Sequence, residues 1–323
     1  MQYKVSIIVP IYGVEAYIER CARSLFEQSL DEIQYIFVND CTKDDSICIL
    51  ESVLSEYPIR KEHVMILHHE KNKGLPFARQ TGLKYAVGEY IAHCDSDDWV
   101  HRDMYRTMYD RAKENHADAV VCDYLDTDGN NGSHIQACFQ QERECHLIDM
   151  ILRKATPSVW TKMFKKDVYR NEIQYPQFSM GEDLVLTTQL LYYSNKIVYV
   201  PQPLYYYYNN VVSISKHKNA NSSFKRFNEL KANSEVIVEF LQKNIEDKRL
   251  VKNLSNFLRY YTLRQLYDVL YVARKYRDAL FNTYPHMPIS CLVNPLISLK
   301  EKIQIVLVFL KLYPFKKDRI IVS

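Results

Sequence analysis

Three carboxylates stand within four residues at Asp95, Asp97 and Asp98, directly after the apolar stretch Tyr90–Cys94. Carboxylates this close repel one another unless a cation or solvent screens them. Mg2+ and Mn2+ prefer oxygen ligands and often bridge a carboxylate to phosphate oxygens. The motif therefore predicts a site for a divalent cation and a diphosphate. From these residues alone, an acidic turn or the N-terminal cap of a helix over Trp99–Arg111 is the alternative.

Polar side chains also follow two other apolar stretches. Asp40 comes after Tyr35–Val38, and Pro10 and Tyr12 come after Val5–Val9. A carboxylate at Asp40 can accept hydrogen bonds from a nucleobase or a ribose, and a ring at Tyr12 can cover a base. The alternative for Asp40 is the cap of the next helix.

The segments that position these residues alternate between two periodicities. Short β-branched runs predict strands, and apolar residues at helical spacing predict the helices between them. In chain order the predicted elements are Val5–Val9, Tyr17–Gln28, Tyr35–Val38, Ser46–Leu54, His63–Leu67, Phe77–Ala86 and Tyr90–Cys94. This alternation predicts an α/β fold, a Rossmann-like, mostly parallel sheet flanked by helices, with its ligand site at the carboxyl ends of the strands.

The same stretches resemble the family 2 inverting glycosyltransferases, which have the GT-A fold. The resemblance covers about residues 3–217, and Gly13 and Cys41 depart from it, because many members carry Asn and Gly there. Later blocks resemble the branch of this family that assembles bacterial surface polysaccharides. The blocks that carry the resemblance are Val5–Tyr12, Val38–Ser46, Asn72–Gly82, Gly88–Ile91, Asp95–Trp99, Trp160–Phe164, Gly181–Asp183, Leu204–Tyr207 and Ser213–Ser215.

The resemblance implies a donor site for a nucleoside diphosphate sugar, with uridine as the nucleoside. Pro10, Tyr12 and Asp40 would bind the nucleoside. In the D-x-D motif, Asp97 would coordinate Mn2+ or Mg2+, and Asp95 would contact the ribose or the sugar. Asp98 would lie close to the donor sugar, and the metal would neutralise the departing diphosphate. The remaining donor candidate is Arg79, for phosphate or sugar, with a structural ion pair as its alternative.

The resemblance also implies a general base for the acceptor hydroxyl, and Asp183 matches that position. The predicted helix Leu184–Tyr193 would stabilise a carboxylate in its first turn, and Glu182 would orient the acceptor. From the residues alone, Gly-Glu-Asp is also an ordinary signal for a helix start. Trp160 and Lys162 are acceptor-side candidates, with the protein core as the alternative for Trp160. His217 is a candidate for the metal shell, against a solvated surface position.

Composition and charge divide the chain into two parts. Its 323 residues are 47% hydrophobic and 25% charged, which excludes a disordered chain. The net charge of +3 combines −8 over residues 1–215 with +11 over 216–323. We expect a glycosyltransferase domain over 1–215 and a basic, C-terminal α-helical extension over 216–323.

The basic extension ends in an apolar segment, Ile303–Leu312, flanked by lysine and arginine. It is too short to span a bilayer and suits the interface of an anionic membrane, and a helix packed on the protein itself is the alternative. The eight cysteines form no C-x-x-C pair, and no signal peptide is recognised. These features predict a cytoplasmic protein with a peripheral membrane contact through residues 300–323, and no mark of nucleic-acid binding is found.

The leading hypothesis is thus a hexosyltransferase that acts with inversion on a glycan or lipid-linked acceptor. A nucleotidyltransferase that makes nucleotide sugars is a second hypothesis, but only one glycine stands in Pro10–Glu15, where a phosphate-binding loop would be expected. A non-catalytic subunit that binds nucleotide sugars is a third, which the retention of Asp183 and Asp97 argues against.

Overall fold

A computed structural model of the chain describes residues 2–209, 220–265 and 287–309. The described residues form two compact units. The first contains residues 2–179 and 186–209, and the second contains residues 180–185, 220–265 and 287–309. The boundary predicted at residue 215 lies outside the described residues and stays a prediction.

The described part of the first unit contains a nine-stranded sheet. The strands are β1 (Val5–Ile11), β2 (Ile33–Asn39), β3 (Val64–His68), β4 (Tyr90–His93), β5 (Trp99–Val100), β6 (Ala119–Thr127), β7 (Gly132–Ile135), β8 (Lys162–Lys165) and β9 (Ile197–Tyr208). Their order is β3-β2-β1-β4-β8-β6-β9-β5, and β7 pairs with β6. The predicted α/β fold is therefore confirmed.

The sheet has a parallel half and a mixed half. Strand β1 pairs in parallel with both β2 and β4, and β2 pairs in parallel with β3. Strand β8 is antiparallel to both of its neighbours, β4 and β6. All seven residues of β1 are buried, because the strand has neighbours on both sides and helices on both faces. The ends of β1, β2 and β4 consequently lie side by side.

Helices connect these strands as the periodicity predicts. The buried residues of helix α1 share one face at helical spacing, and they are Ile18, Cys21, Ala22, Leu25 and Phe26. The helices are α1 (Ile18–Phe26), α2 (Ser46–Ser55), α3 (Pro58–Lys61), α4 (Leu75–Tyr85), α5 (Met104–Asn115), α6 (Arg143–Ile151) and α7 (Glu182–Tyr193).

The second unit is helical where the structure describes it. Its helices are α8 (Ala220–Asn244), α9 (Lys248–Arg264), α10 (Met287–Leu292) and α11 (Leu299–Phe309). Asp247 caps α9, since its carboxylate accepts hydrogen bonds from the amides of Arg249 and Leu250. The first residues of α7 also belong to this unit.

Candidate functional site

The carboxyl ends of β1, β2 and β4 meet at one edge of the sheet, and hydrogen bonds join the loops that follow them. The amide of Asp40 donates to the carbonyl oxygen of Ile11 at 2.9 Å. The hydroxyl of Ser96 donates to the carbonyl oxygen of Pro10 at 2.6 Å. Pro10 is buried, whereas Tyr12 is 53% exposed. The structure thus brings these strand ends together and leaves the Tyr12 ring open to solvent.

Side chains that follow β2 fix the backbone after Tyr12. The amide of Gly13 donates to Thr42 Oγ1 at 2.9 Å, and the amide of Glu15 donates to Asp44 Oδ2 at 3.0 Å. Gly13 has a φ of +68°, in the left-handed region that glycine adopts without a steric penalty. The loop next to the candidate nucleoside site is therefore held by the neighbouring strand end.

Asp40 is buried, and both of its carboxylate oxygens accept hydrogen bonds. Oδ1 lies 2.7 Å from His69 Nδ1 and accepts from the amide of Lys73 at 2.8 Å, and Oδ2 accepts from the amide of Gly74 at 2.7 Å. His69 also contacts Thr81 Oγ1 at 2.8 Å through Nε2. Asp40 therefore holds the loop that leads into α4, and its predicted contact with a nucleoside stays a prediction.

Arg79 on α4 forms an ion pair with Asp95 in the D-x-D motif. Its Nη2 lies 2.5 Å from Asp95 Oδ1, and the arginine side chain is only 3% exposed. Burial, and then the charge of Arg79, lower the pKa of His93 well below its usual range. The structure thus contains the structural ion pair that is the predicted alternative for Arg79. The arginine can still act on the donor through Asp95.

Asp98 is 1% exposed and faces the protein interior. Its Oδ2 accepts from the Tyr205 hydroxyl, and its Oδ1 accepts from the amide of Tyr208, both at 2.7 Å. Burial, followed by the charges of Asp97 and Asp95, raises the pKa of Asp98 well above its usual range. Asp98 therefore ties the D-x-D loop to the end of β9.

The D-x-D residues suit a cation that arrives with its diphosphate. Among residues 2–209, 220–265 and 287–309, no three His, Cys, Asp or Glu side chains form a group that could hold a metal ion by themselves. Mg2+ is commonly bound by one or two carboxylates together with substrate phosphates. Asp97 is partly exposed at the same edge of the sheet. The carboxylate oxygens of Asp97 suit such a cation as ligands, and acidic groups close together favour the binding of a cation.

Trp160 and Lys162 lie inside the first unit. The Trp160 ring is 5% exposed and stacks on Tyr205, with centroids 4.3 Å apart. Lys162 is 1% exposed, and its Nζ donates to the carbonyl oxygens of Thr156 and Ser158 at 2.7 and 2.9 Å. The structure therefore supports the core alternative for Trp160, and the acceptor role of both residues stays a prediction without support from their placement.

Glu182 and Asp183 form the first turn of α7, as predicted, and belong to the second unit. Glu182 is 3% exposed, and Asp183 is partly exposed. The segment before them is fixed by α8, because Asn233 Nδ2 donates to the carbonyl oxygen of Met180 at 2.8 Å. Gly181 has a φ of +79°, and a Cβ there would lie 2.8 Å from Leu230 Cδ2. Glycine at this position therefore avoids backbone strain and a close contact with Leu230 immediately before the two acids.

Several residues at the site were not identified from the sequence. Tyr205 and Tyr208 bind Asp98, His69 binds Asp40, and Arg20 contacts the D-x-D backbone. In the sequence, the tyrosine run Tyr205–Tyr208 is explained by packing in a strand. A search for alternate residues of one strand that share a face could have singled out some of them.

Two predictions fall wholly or partly beyond the described residues. His217 lies outside them, and so do residues 310–323 of the tail. In the helices that the structure describes, no apolar segment is long enough to cross a membrane.

The sequence matches the family model of glycosyl transferase family 2 over residues 6–164. EpsH of Bacillus subtilis (strain 168), which is named as a glycosyltransferase, is 30% identical over 263 residues, or 79% of this chain and 74% of that protein. The poly(ribitol-phosphate) beta-N-acetylglucosaminyltransferase TarP of Staphylococcus aureus (strain N315) is 28% identical, over 68% of this chain and 67% of TarP.

Solved structures share the fold. The crystal structure of S. aureus TarS 1–349 in complex with UDP-GlcNAc aligns with a TM-score of 0.72 at 19% identity, over 96% of this chain and 88% of that chain. The mannosyltransferase PcManGT from Pyrobaculum calidifontis, in complex with GDP-Man and Mn2+, aligns with a TM-score of 0.55 at 14% identity, over 97% and 87% of the two chains.

The fold, the strand-end carboxylates and these relatives define a glycosyltransferase with the GT-A fold. The chain belongs to glycosyl transferase family 2. Its similarity to the branch that assembles bacterial polysaccharides is confirmed. Family membership also argues against the two other hypotheses, a nucleotidyltransferase that makes nucleotide sugars and a non-catalytic subunit.

Proposed function

We propose that this enzyme transfers a hexose from a uridine diphosphate sugar to a hydroxyl of a growing glycan or lipid-linked acceptor, with inversion at the anomeric carbon. The observation that carries the proposal is the carboxylate loop Asp95–Asp98 at the sheet edge where β1, β2 and β4 end. This edge is where open α/β sheets bind ligands. Among the structural relatives, TarS has been crystallised with UDP and with UDP-GlcNAc.

The nucleoside would lie over the ends of β1 and β2. The exposed Tyr12 ring offers an apolar face to uracil, and Pro10 shapes the floor of the site. A carboxylate has about four acceptor positions, and Asp40 uses three of them for the loop that enters α4. Asp40 would therefore hold that loop in place and contact the nucleoside with its remaining acceptor position.

Asp97 would hold Mn2+ or Mg2+, which would neutralise the charge that develops on the leaving diphosphate. Asp95 would contact the ribose or the sugar while Arg79 keeps its carboxylate in one orientation. Asp98 would support the donor-sugar side of the loop through its bonds to Tyr205 and Tyr208. The structural relative PcManGT was solved in complex with GDP-Man and Mn2+.

Asp183 would accept the proton of the acceptor hydroxyl as its oxygen attacks the anomeric carbon. A base for this step needs a carboxylate that stays ionised, and the first turn of a helix stabilises negative charge through its unpaired backbone amides. Asp183 lies in that turn of α7 and is partly exposed. Glu182, which is buried beside it, would help to orient the acceptor.

A contact with an anionic membrane would bring the enzyme to a lipid-linked acceptor. In the second unit, the largely exposed apolar side chains Ile289, Val293, Leu299 and Ile303 lie on α10, on α11 and next to them, with exposed Lys300 nearby in sequence. Apolar and basic side chains together suit a membrane interface. Flotation with anionic liposomes should depend on residues 300–323, and equal flotation of a folded truncated chain would remove this part of the proposal.

The test is donor hydrolysis with Mn2+ across a panel of nucleotide sugars, with wild type and Asp183→Asn. Wild type should slowly hydrolyse a uridine diphosphate sugar, and Asp183→Asn should lose this hydrolysis while it still binds UDP, because the amide keeps the shape and loses the charge. Asp167→Asn is a matched control, since Asp167 is exposed and pairs with Arg170. Hydrolysis by Asp183→Asn at the wild-type rate would contradict the base assignment.

A further inference from the structure

Arg20 lies behind the D-x-D loop, where two aromatic rings flank it. Its guanidinium carbon is 3.6 Å from the centroid of the Trp99 ring and 4.5 Å from that of Tyr208. Trp99 in turn stacks on Tyr206, with centroids 5.4 Å apart. A guanidinium that stacks on aromatic faces has few alternative orientations. The side chain is therefore fixed before any ligand binds.

The same guanidinium is bonded to the backbone of the motif. Its Nη2 donates to the carbonyl oxygen of Asp97 at 3.1 Å. Tyr208, one of the two flanking rings, donates its amide to Asp98, and Trp99 directly follows Asp98 in the chain. Arg20 thus contacts the loop through one hydrogen bond and through the aromatic side chains on both sides of it.

Arg20 also places a positive charge close to the carboxylates of Asp97 and Asp98. Burial lowers the pKa of Arg20, and the nearby carboxyl groups of Asp98 and Asp97 oppose that shift. An arginine stays protonated at neutral pH even when partly buried. Arg79 supplies the second such charge, on the side of Asp95. The two arginines therefore hold opposite ends of one acidic loop.

We propose that Arg20 is a positioning residue for the D-x-D motif: it fixes the backbone of Asp97 from behind, so that the Asp97 carboxylate faces the donor diphosphate. This inference rests on the proposed function, because it assumes that Asp97 acts on a diphosphate. Arg20 would act on the substrate through Asp97 and not by direct contact. Its loss should weaken binding of the diphosphate and its cation and leave binding of the nucleoside unchanged.

The test compares calorimetric binding of uridine with that of UDP and Mn2+, in wild type, Arg20→Ala and Arg20→Lys. Arg20→Ala should lose at least tenfold in affinity for UDP with Mn2+ and keep the wild-type affinity for uridine. Arg20→Lys should fall between them, because lysine keeps the charge and loses the planar stacking. If Arg20→Ala does not fold, Arg20→Lys carries the test alone.

Arg23→Ala is the matched control, because Arg23 lies one turn further along α1 and pairs with Glu19 and Glu56. It should bind UDP with Mn2+ as wild type does. Arg20 lines a cavity of about 570 Å³ with residues that include Trp99 and Arg102. Added methylguanidinium can enter that space and should restore part of the affinity of Arg20→Ala.

Two results would overturn the inference. One is an Arg20→Ala variant that binds UDP with Mn2+ as tightly as wild type does. If only Arg20→Lys folds, the same result for that variant overturns the inference. The other is an equal loss of uridine and UDP binding, which indicates a general structural role. A wild-type chain that binds uridine but gains nothing from the diphosphate and Mn2+ would contradict the proposed function first, and this inference with it.

Discussion

The hydroxyl of Tyr205 donates a 2.7 Å hydrogen bond to Asp98 Oδ2 and accepts one of 3.1 Å from the amide of Asp95. One phenol oxygen on β9 therefore links two residues of the D-x-D loop. Both Tyr205 and Asp98 are buried, so water cannot easily replace the bond. The arrangement makes the loop dependent on a strand about 110 residues further along the chain.

Tyr205→Phe should lower both stability and donor affinity. The substitution removes one oxygen and leaves the buried carboxylate of Asp98 and the amide of Asp95 without their partner, which costs about 1–3 kcal/mol in the free energy of unfolding. Urea denaturation measures that loss, and UDP affinity with Mn2+ should fall severalfold. Tyr206→Phe is the control, since Tyr206 stacks on Trp99 through its ring, and phenylalanine keeps that ring. Equal stability and affinity of Tyr205→Phe and wild type would show that the bond does not position the loop.

Asp97→Ala should remove the part of nucleotide binding that depends on Mn2+. Uridine should bind as in wild type, while the affinity for UDP should no longer rise when Mn2+ is added. Calorimetry with and without EDTA separates these two contributions. Asp110→Asn is the control, because Asp110 is exposed on α5. An unchanged effect of Mn2+ in Asp97→Ala would exclude Asp97 as the metal ligand.

Cys41→Gly should be more stable than Cys41→Ala. Cys41 has a φ of +60°, where a residue with a Cβ pays about 1–2 kcal/mol. Glycine avoids that penalty, although its greater freedom in the unfolded chain lowers the free energy of unfolding by about 0.4–1 kcal/mol. The alanine variant keeps the strain and also lacks the thiol, so the comparison isolates the backbone. A glycine variant no more stable than the alanine variant in urea denaturation would mean that the turn at Cys41 is not strained.

These residues also show which parts of the molecule could be predicted from sequence. The strand ends that carry Asp40 and Asp95 were predicted because the alternation of strand and helix is a local pattern. The contact between Asp98 and Tyr205 was not predicted, because it depends on the pairing of β5 with β9. No local pattern in the sequence specifies that pairing. The burial of Lys162, an acceptor-side candidate, could not be predicted for a related reason, because its partners, the carbonyl oxygens of Thr156 and Ser158, depend on a turn conformation.

Stability should also depend on pH through His146. Burial, and then the charge of Lys162, lower the pKa of His146 to about 4. Since the unfolded value is about 6.5, the unfolded chain binds the proton more tightly. The free energy of unfolding is therefore highest above pH 6.5 and falls as the pH drops toward 4. At pH 5 the loss from this residue is about 2 kcal/mol.

Urea denaturation at pH 7.5 and pH 5 measures this loss, and His146→Gln should show a smaller fall between the two than wild type. His116→Asn is the control, because His116 is exposed at the end of α5 and asparagine accepts its positive φ. If His146→Gln loses as much stability as wild type between these pH values, another group causes the acid sensitivity.

Inversion of the anomeric carbon is the central claim, and it can be tested without knowing the acceptor. In the absence of an acceptor, water replaces the hydroxyl and the donor sugar is released. Proton NMR during the first minutes of hydrolysis of an α-linked uridine diphosphate sugar with Mn2+ records which anomer forms before mutarotation mixes the two. The account predicts that the β-anomer appears first, and that Asp97→Ala and Asp183→Asn release neither at the wild-type rate. Initial release of the α-anomer would contradict it.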